Sequence, residues 1–209
     1  MSRNKTGREE KTSIHERHIE RILPYKSMLF FSLLGSSLIF LSLIFLYIMW
    51  LTKNPLLGHI GLPRPFIVST IIFLLTSYAV TKAQYSFRSD NSQNLMLSFL
   101  VIFSLFLFFF TFQIMGWVEL YSIIIPRNIP GSITYLVIIS CVHFLHLGVA
   151  FIWQFYLSLR AYDVWNDPLK SLLYFSNKFE GARIDLFATY WHYLNVLWIC
   201  LYIIFLYTL

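Results

Sequence analysis

The side chains that could do chemistry in this chain sit in otherwise apolar surroundings: Gln113, His143, His146, Gln154, His192 and Asn195. Polar groups at bilayer depth are costly and usually have a role. His143 and His146 stand at i, i+3 and share one helix face. Histidines on facing membrane helices can ligate haem iron. In the competing reading they bond to neighbouring backbone, water or lipid phosphate. His15 and His18 repeat the i, i+3 spacing in a polar stretch and read as solvated surface histidines. Cys141 and Cys200 lack metal-ligand spacing and read as small buried hydrophobes. No hydrolase triad, glycine-rich phosphate loop or metal cluster is visible.

Those residues need elements to hold them. The chain is 57% hydrophobic and 12% charged over 209 residues, against about 25% charged in soluble domains. A bilayer-spanning helix takes about 20 apolar residues. Five runs approach that length: Ser27–Leu51, Pro65–Val80, Asn94–Trp117, Ser132–Leu159 and Leu186–Leu209. The second is short and would sit nearly upright. Pro55, Gly58, Gly61, Pro63, Pro126, Pro130 and Gly131 punctuate the connections. Lipid cannot satisfy open backbone groups, so the expected fold is all-α: a polytopic bundle of five transmembrane helices spanning residues 27–209. Residues 1–26 are polar and mixed in charge, unlike a cleaved signal peptide. They read as a cytoplasmic segment, with a helix expected over Ile14–Ile22.

The net charge of +6 could suggest nucleic acid, but a membrane explains it more simply. Of the 16 Lys and Arg, seven precede the first span, two lie between the second and third, and four lie between the fourth and fifth. That places 13 on one side and three on the other, so the N-terminus is expected in the cytoplasm and the C-terminus in the periplasm. At 1.5 Å per residue this topology puts His143 roughly 16 Å from the outer end of its span, and His192 about 10 Å from the inner end of its own. In a core of about 30 Å the two differ in height, which counts against a shared haem. No Asp, Glu, Lys or Arg lies between Met28 and Leu51, Phe66 and Thr81, Leu95 and Trp117, or Ser132 and Leu159. That argues against an autonomous ion path. GxxxG is absent, leaving Gly35, Ser36, Ser37 and other small residues for close packing. Trp50, Trp117, Trp153, Trp165, Trp191 and Trp198 read as interfacial anchors or packing residues.

The run Tyr190-Trp191-His192-Tyr193-Leu194-Asn195-Val196-Leu197-Trp198 resembles the last helix of subunit III of the haem–copper terminal oxidases. That family reads roughly YWHFVD-V-W-L here, with Tyr193 standing for Phe and Asn195 for Asp. His143-Phe144-Leu145-His146 is similar to its H-x-x-H, with Ser140-Cys141 in place of Thr-Gly, Leu147 for valine, and Gly148 following. Gln113 and Trp117 resemble a Q-x-x-E-W ending in which Gly116 replaces the acid. Leu62-Pro63 resembles the start of the corresponding helix, and Asp185 falls where the family commonly has Glu. The resemblance covers residues 28–209, in order, across five helices. It matches the five-helix bacterial form, which lacks the two helices walling a lipid cleft in the seven-helix form. One departure is plain: Leu33-Leu34-Gly35-Ser36-Ser37-Leu38 holds no carboxylate where the family usually buries one.

The resemblance implies a cofactor-free, non-catalytic subunit of an inner-membrane cytochrome c oxidase. Haem and copper would reside in subunits I and II, with a respiratory supercomplex as a further partner. The chain would stabilise subunit I, hold phospholipid and support proton uptake. His143, His146, Tyr190, Trp191, His192, Asn195, Gln113 and Trp117 would then contact lipid or a neighbouring subunit, and Arg183 would bind lipid phosphate. The alternatives are a haem-binding membrane anchor of a respiratory dehydrogenase, using the same histidines, and an assembly factor or transporter.

Overall fold

The structure is a computed structural model. It describes the backbone of residues 3–53, 61–124 and 130–208, and the side chains of 24–53, 61–123 and 134–208. Every element in those residues is helical: α1 (Arg3–Lys53), α2 (Arg64–Arg88), α3 (Ser92–Ile124), α4 (Pro130–Trp165), α5 (Pro168–Ser176) and α6 (Lys178–Thr208). Five segments are long and apolar enough to cross a membrane: Pro24–Lys53, Arg64–Arg88, Ser92–Ile123, Thr134–Trp165 and Lys178–Thr208. The side chains of His15 and His18, and Pro55, Gly58 and Pro126, lie outside the described residues.

The helices outrun the apolar stretches. The second span is not the short Pro65–Val80 segment expected from hydropathy but a helix of 25 residues. Its polar end, with Thr81, Lys82, Gln84 and Ser86, carries no helix breaker. It stops at a turn where Asp90 takes φ 54°, a left-handed position that a short polar side chain tolerates. Asn91 Oδ1 then accepts from the Asn94 amide at 2.9 Å and caps α3. The polar N-terminal segment, expected to be helical only over Ile14–Ile22, is helical from Arg3 and runs on through Pro24 into the first span. α5 was not anticipated. Asp167 caps it, accepting from the amides of Leu169 at 3.0 Å and Lys170 at 3.2 Å, with Pro168 in the first turn.

α6 is the hub of the bundle, packing on α1, α2, α4 and α5, while α2 and α3 form the most extensive helix pair. Aromatic rings fill the core. Phe73 stacks on Phe109 at 4.5 Å, and Phe106 on Phe151 at 4.9 Å. The fully buried Trp191 touches Phe73, Phe106 and Phe187. Close approach comes from glycines that seat rings. A Cβ on Gly116 would meet Phe66 at 2.9 Å, and one on Gly181 would meet Phe87 at 2.9 Å. Gly35, expected to serve packing, has nothing within 4 Å of that position. Cys141 and Cys200 are exposed rather than buried in protein, since each lies on the outward face of its helix.

Candidate functional site

Three groups of polar side chains tie α6 to its neighbours. The first links it to α2. Trp191 Nε1 donates to Thr76 Oγ1 at 2.8 Å, and Trp198 Nε1 to Thr70 Oγ1 at 3.0 Å. Each threonine in turn donates to its own helix, Thr76 to the Phe73 carbonyl and Thr70 to that of Phe66. Farther along the same antiparallel pair, Ser77 Oγ lies 2.7 Å from His192 Nδ1. Gln84 Nε2 and Arg88 Nη2 both donate to Asp185 Oδ1, at 2.9 and 3.1 Å. A buried indole N–H needs a partner. Here the sequence supplies threonine, which satisfies both the indole and itself.

The second group joins α1 and α4. His146 Nδ1 lies 2.8 Å from the Val142 carbonyl. A carbonyl only accepts, so the proton sits on Nδ1. Nε2 lies 2.8 Å from Ser36 Oγ. Tyr190 donates its hydroxyl to the His146 carbonyl at 3.1 Å, and Tyr193 lies 3.1 Å from Ser37 Oγ. His143 is buried and stacked on Trp198 at 5.3 Å, with Phe40 edge-on at 6.3 Å. Neither of its ring nitrogens has a partner among the described residues, nor do Ser140 Oγ, Gln113 Oε1, Gln154 Oε1 and Asn195 Oδ1.

The third group lies where α4, α5 and α6 meet. Glu180 is almost fully buried, and its Oε1 accepts from Arg160 Nη2 and, at 2.9 Å, from Arg183 Nη1. Tyr174 on α5 is buried beside it. Burial, and then the Glu180 carboxylate, push the Tyr174 hydroxyl above its ordinary value. Arg183 also stands at the end of an apolar cleft of about 640 Å³. Tyr25, Met28 and Leu29 of α1 line it, facing Trp153 and Tyr156 of α4 and Leu186 of α6. Arg183 Nη1, bonded to Glu180, also donates to the Tyr156 hydroxyl at 3.4 Å.

The residues singled out from sequence therefore divide. Gln113, His143, Trp191 and Asn195 are turned inward and buried. Gln113 donates to Ser69 at 2.9 Å, and Asn195 to the Trp191 carbonyl at 3.1 Å. These four, expected to face lipid or a neighbouring subunit, are buried within the bundle, Gln113, Trp191 and Asn195 with hydrogen bonds there and His143 stacked on Trp198. Tyr190 is nearly as buried, and Trp117 packs half-buried edge-on to Phe66 at 6.0 Å. Arg183, His146 and His192 keep some exposure. The histidines turn to three helices, His143 to Trp198, His146 to Ser36 and His192 to Ser77. Among the described residues no three His, Cys, Asp or Glu side chains gather into one group. Of the tryptophans read as interfacial anchors or packing residues, Trp191 and Trp198 pack in the core, and Trp165 is exposed.

Sequence reading missed Thr70, Thr76, Ser77 and the Arg160–Glu180–Arg183 cluster. Glu180 and Arg183 at i, i+3 gave a signal, but nothing local to either residue announces Arg160. The threonines carry no signal, since hydroxyls in apolar helices commonly bond their own backbone. Comparison of the chain with protein-family models and with curated proteins gives no match.

Proposed function

We propose that the chain is subunit III of a bacterial haem–copper oxygen reductase, a cytochrome c oxidase, embedded in the inner membrane with its N-terminus cytoplasmic. The observation that carries this reading is the Tyr190–Trp198 run, which resembles the subunit III motif and lies on the hub helix α6. In the proposed complex, subunits I and II hold haem and copper and reduce oxygen. This chain braces subunit I, keeps phospholipid in the cleft rimmed by Arg183, and supports proton uptake through many turnovers. The cleft's apolar lining and single guanidinium support the lipid role.

The test is purification of the tagged chain from native membranes in mild detergent. A haem- and copper-containing catalytic subunit should accompany it, with oxygen uptake. Removing the chain should leave the haem spectrum and initial rate intact but hasten loss of activity during turnover. Purification without haem or copper would overturn the reading. So would a haem band carried by the isolated chain and lost in His143→Ala, which would favour the dehydrogenase anchor.

A further inference from the structure

The apolar cleft between α1, α4 and α6 has a polar neighbour. A second cavity, of about 390 Å³, lies where α4, α5 and α6 meet. Met28, Leu29, Trp153 and Leu186 are among the walls of the cleft. Arg160, Asp163, Lys170, Tyr174, Asn177 and Glu180 line the second cavity. The bond between Arg183 of the first and Glu180 of the second joins the two. Tyr156, Arg160 and Asp163 stand at i, i+4 and i+7 on α4. They share one helix face and lead from the cleft into the polar cavity over about 10 Å.

The charges along this route are unevenly matched. Arg160 and Arg183 share one carboxylate, Glu180, which leaves one positive charge over at the cleft end. Both bonds of Arg183 leave from Nη1, to Glu180 and to Tyr156. Its Nε–Nη2 edge has the fork geometry that takes two phosphate oxygens. Lys170 lies 3.8 Å from Asp167. Asp163 pairs with no cation among the described residues, which leaves one negative charge over at the far end. Between the two ends Tyr174 is 5% exposed. Its hydroxyl and Glu180 Oε2 have no hydrogen-bond partner among the described residues. An apolar cleft, then a positive end, then a negative end complement an acyl chain, a phosphate and an ammonium, in that order.

We infer that the two cavities together hold one aminophospholipid of the phosphatidylethanolamine type, with an acyl chain in the cleft, its phosphate on Arg183 and its ammonium on Asp163. The inference rests on the lipid role proposed above for the cleft and adds the headgroup class to it. An anionic headgroup such as phosphatidylglycerol satisfies Arg183 but leaves the Asp163 carboxylate without a cation. Asp163 is therefore the residue that sets headgroup preference, and Arg183 the one that any phospholipid uses.

The test is native mass spectrometry of the full chain, delipidated in mild detergent and titrated with phosphatidylethanolamine or phosphatidylglycerol of identical acyl chains, so that only the headgroup differs. Phosphatidylethanolamine should bind about three- to fivefold more tightly, the scale of one partly exposed ion pair. Asp163→Asn should bring the two lipids to parity by weakening phosphatidylethanolamine alone. Arg183→Gln should weaken both alike, and Asp90→Asn, an exposed acid outside both cavities, should change neither. Soluble phosphoethanolamine leaves the cleft unfilled and should not displace the lipid at equal concentration; equal potency would reveal a site for a soluble zwitterion and overturn the single-lipid inference. Equal affinities in the unaltered chain, a reversed preference, or a preference that survives Asp163→Asn would overturn it while the lipid role stands. Binding of neither lipid would overturn both. Co-purification of a haem–copper subunit is read separately and bears on the oxidase assignment alone.

Discussion

Glu180→Gln should be the most destabilising conservative change of an acid among the described residues, and the structure sets its scale. The Glu180 side chain is 3% exposed and holds two guanidiniums, themselves 43% and 44% exposed. Hydrogen bonds to charged groups contribute about 1.5–3 kcal/mol each. Two such bonds would give about 3–6 kcal/mol, but half-exposed arginines recover hydration when the acid is lost, which brings the cost to about 2–3 kcal/mol. The Arg88–Asp185 pair is exposed on both sides, so Asp185→Asn should cost about 0.2–1 kcal/mol. For a chain of this size each kcal/mol moves Tm by about 2–4 °C. Glu180→Gln should therefore lower Tm by about 4–12 °C, and Asp185→Asn by about 4 °C at most. Thermal unfolding in detergent, followed by the fluorescence of the six tryptophans, measures both. An Asp185→Asn shift equal to or larger than that of Glu180→Gln would refute the reasoning, because burial would not then decide the strength of these pairs.

Gly116→Ala and Gly181→Ala should each cost about 1–3 kcal/mol through overpacking, because the new Cβ falls 2.9 Å from Phe66 and Phe87 respectively. Gly35→Ala and Gly148→Ala meet nothing within 4 Å and should stabilise by about 0.5–1 kcal/mol; the same unfolding assay compares all four. Tyr174 keeps its proton in the folded chain above the ordinary value of 10.0. The unfolded chain, titrating near that value, then binds fewer protons than the folded one, so stability should fall as pH rises past about 10. Tyr174→Phe should flatten that fall, and it should be near neutral at pH 7 because the hydroxyl has no hydrogen-bond partner among the described residues. A reporter enzyme fused after Leu209 should be active only in the periplasm, and one inserted between Asp163 and Phe179 only in the cytoplasm; the reverse pattern would invert the proposed topology.

The helices were legible because a membrane leaves little choice. Apolar runs of sufficient length must be helical, and five of them lie within five long helices. Helix ends were not legible from hydropathy. The backbone of α2 continues through Lys82 to Arg88 because leaving the apolar region does not end a helix; a turn such as Ser89–Asn91 does. The polar residues of the third, fourth and fifth spans were visible by type, but their direction was not. Gln113, Trp191 and Asn195 look like surface chemistry in a linear reading, because their partners Ser69 and Thr76, and the Trp191 carbonyl, are ordinary groups found almost anywhere. Glu180 was hidden for the opposite reason. It stands in a charged connection where acids are common, and only the fold brings Arg160 from the previous span against it.

The direction of each side chain separates structural polarity from functional polarity on α6. Trp191 and Trp198 face α2 with their indole nitrogens spent on threonines, so their polarity is consumed in holding the bundle together. His192, one position on from Trp191, is turned by a single helical step of about 100° toward the outer edge of the same groove. It uses one nitrogen within the chain and leaves the other open. Were the Tyr-Trp-His run purely structural, a third inward bond would have been the cheapest arrangement in lipid. His192 Nε2 instead stays at the outer edge of the groove, with no hydrogen-bond partner among the described residues. The same reasoning makes His192→Phe informative. It should leave the thermal stability of the isolated chain within about 1 kcal/mol, since only the part-buried bond to Ser77 is lost. In the complex proposed above, it should also weaken retention of the catalytic subunit in detergent. A variant that unfolds readily yet still holds its partner would show that His192 serves the bundle and not the interface.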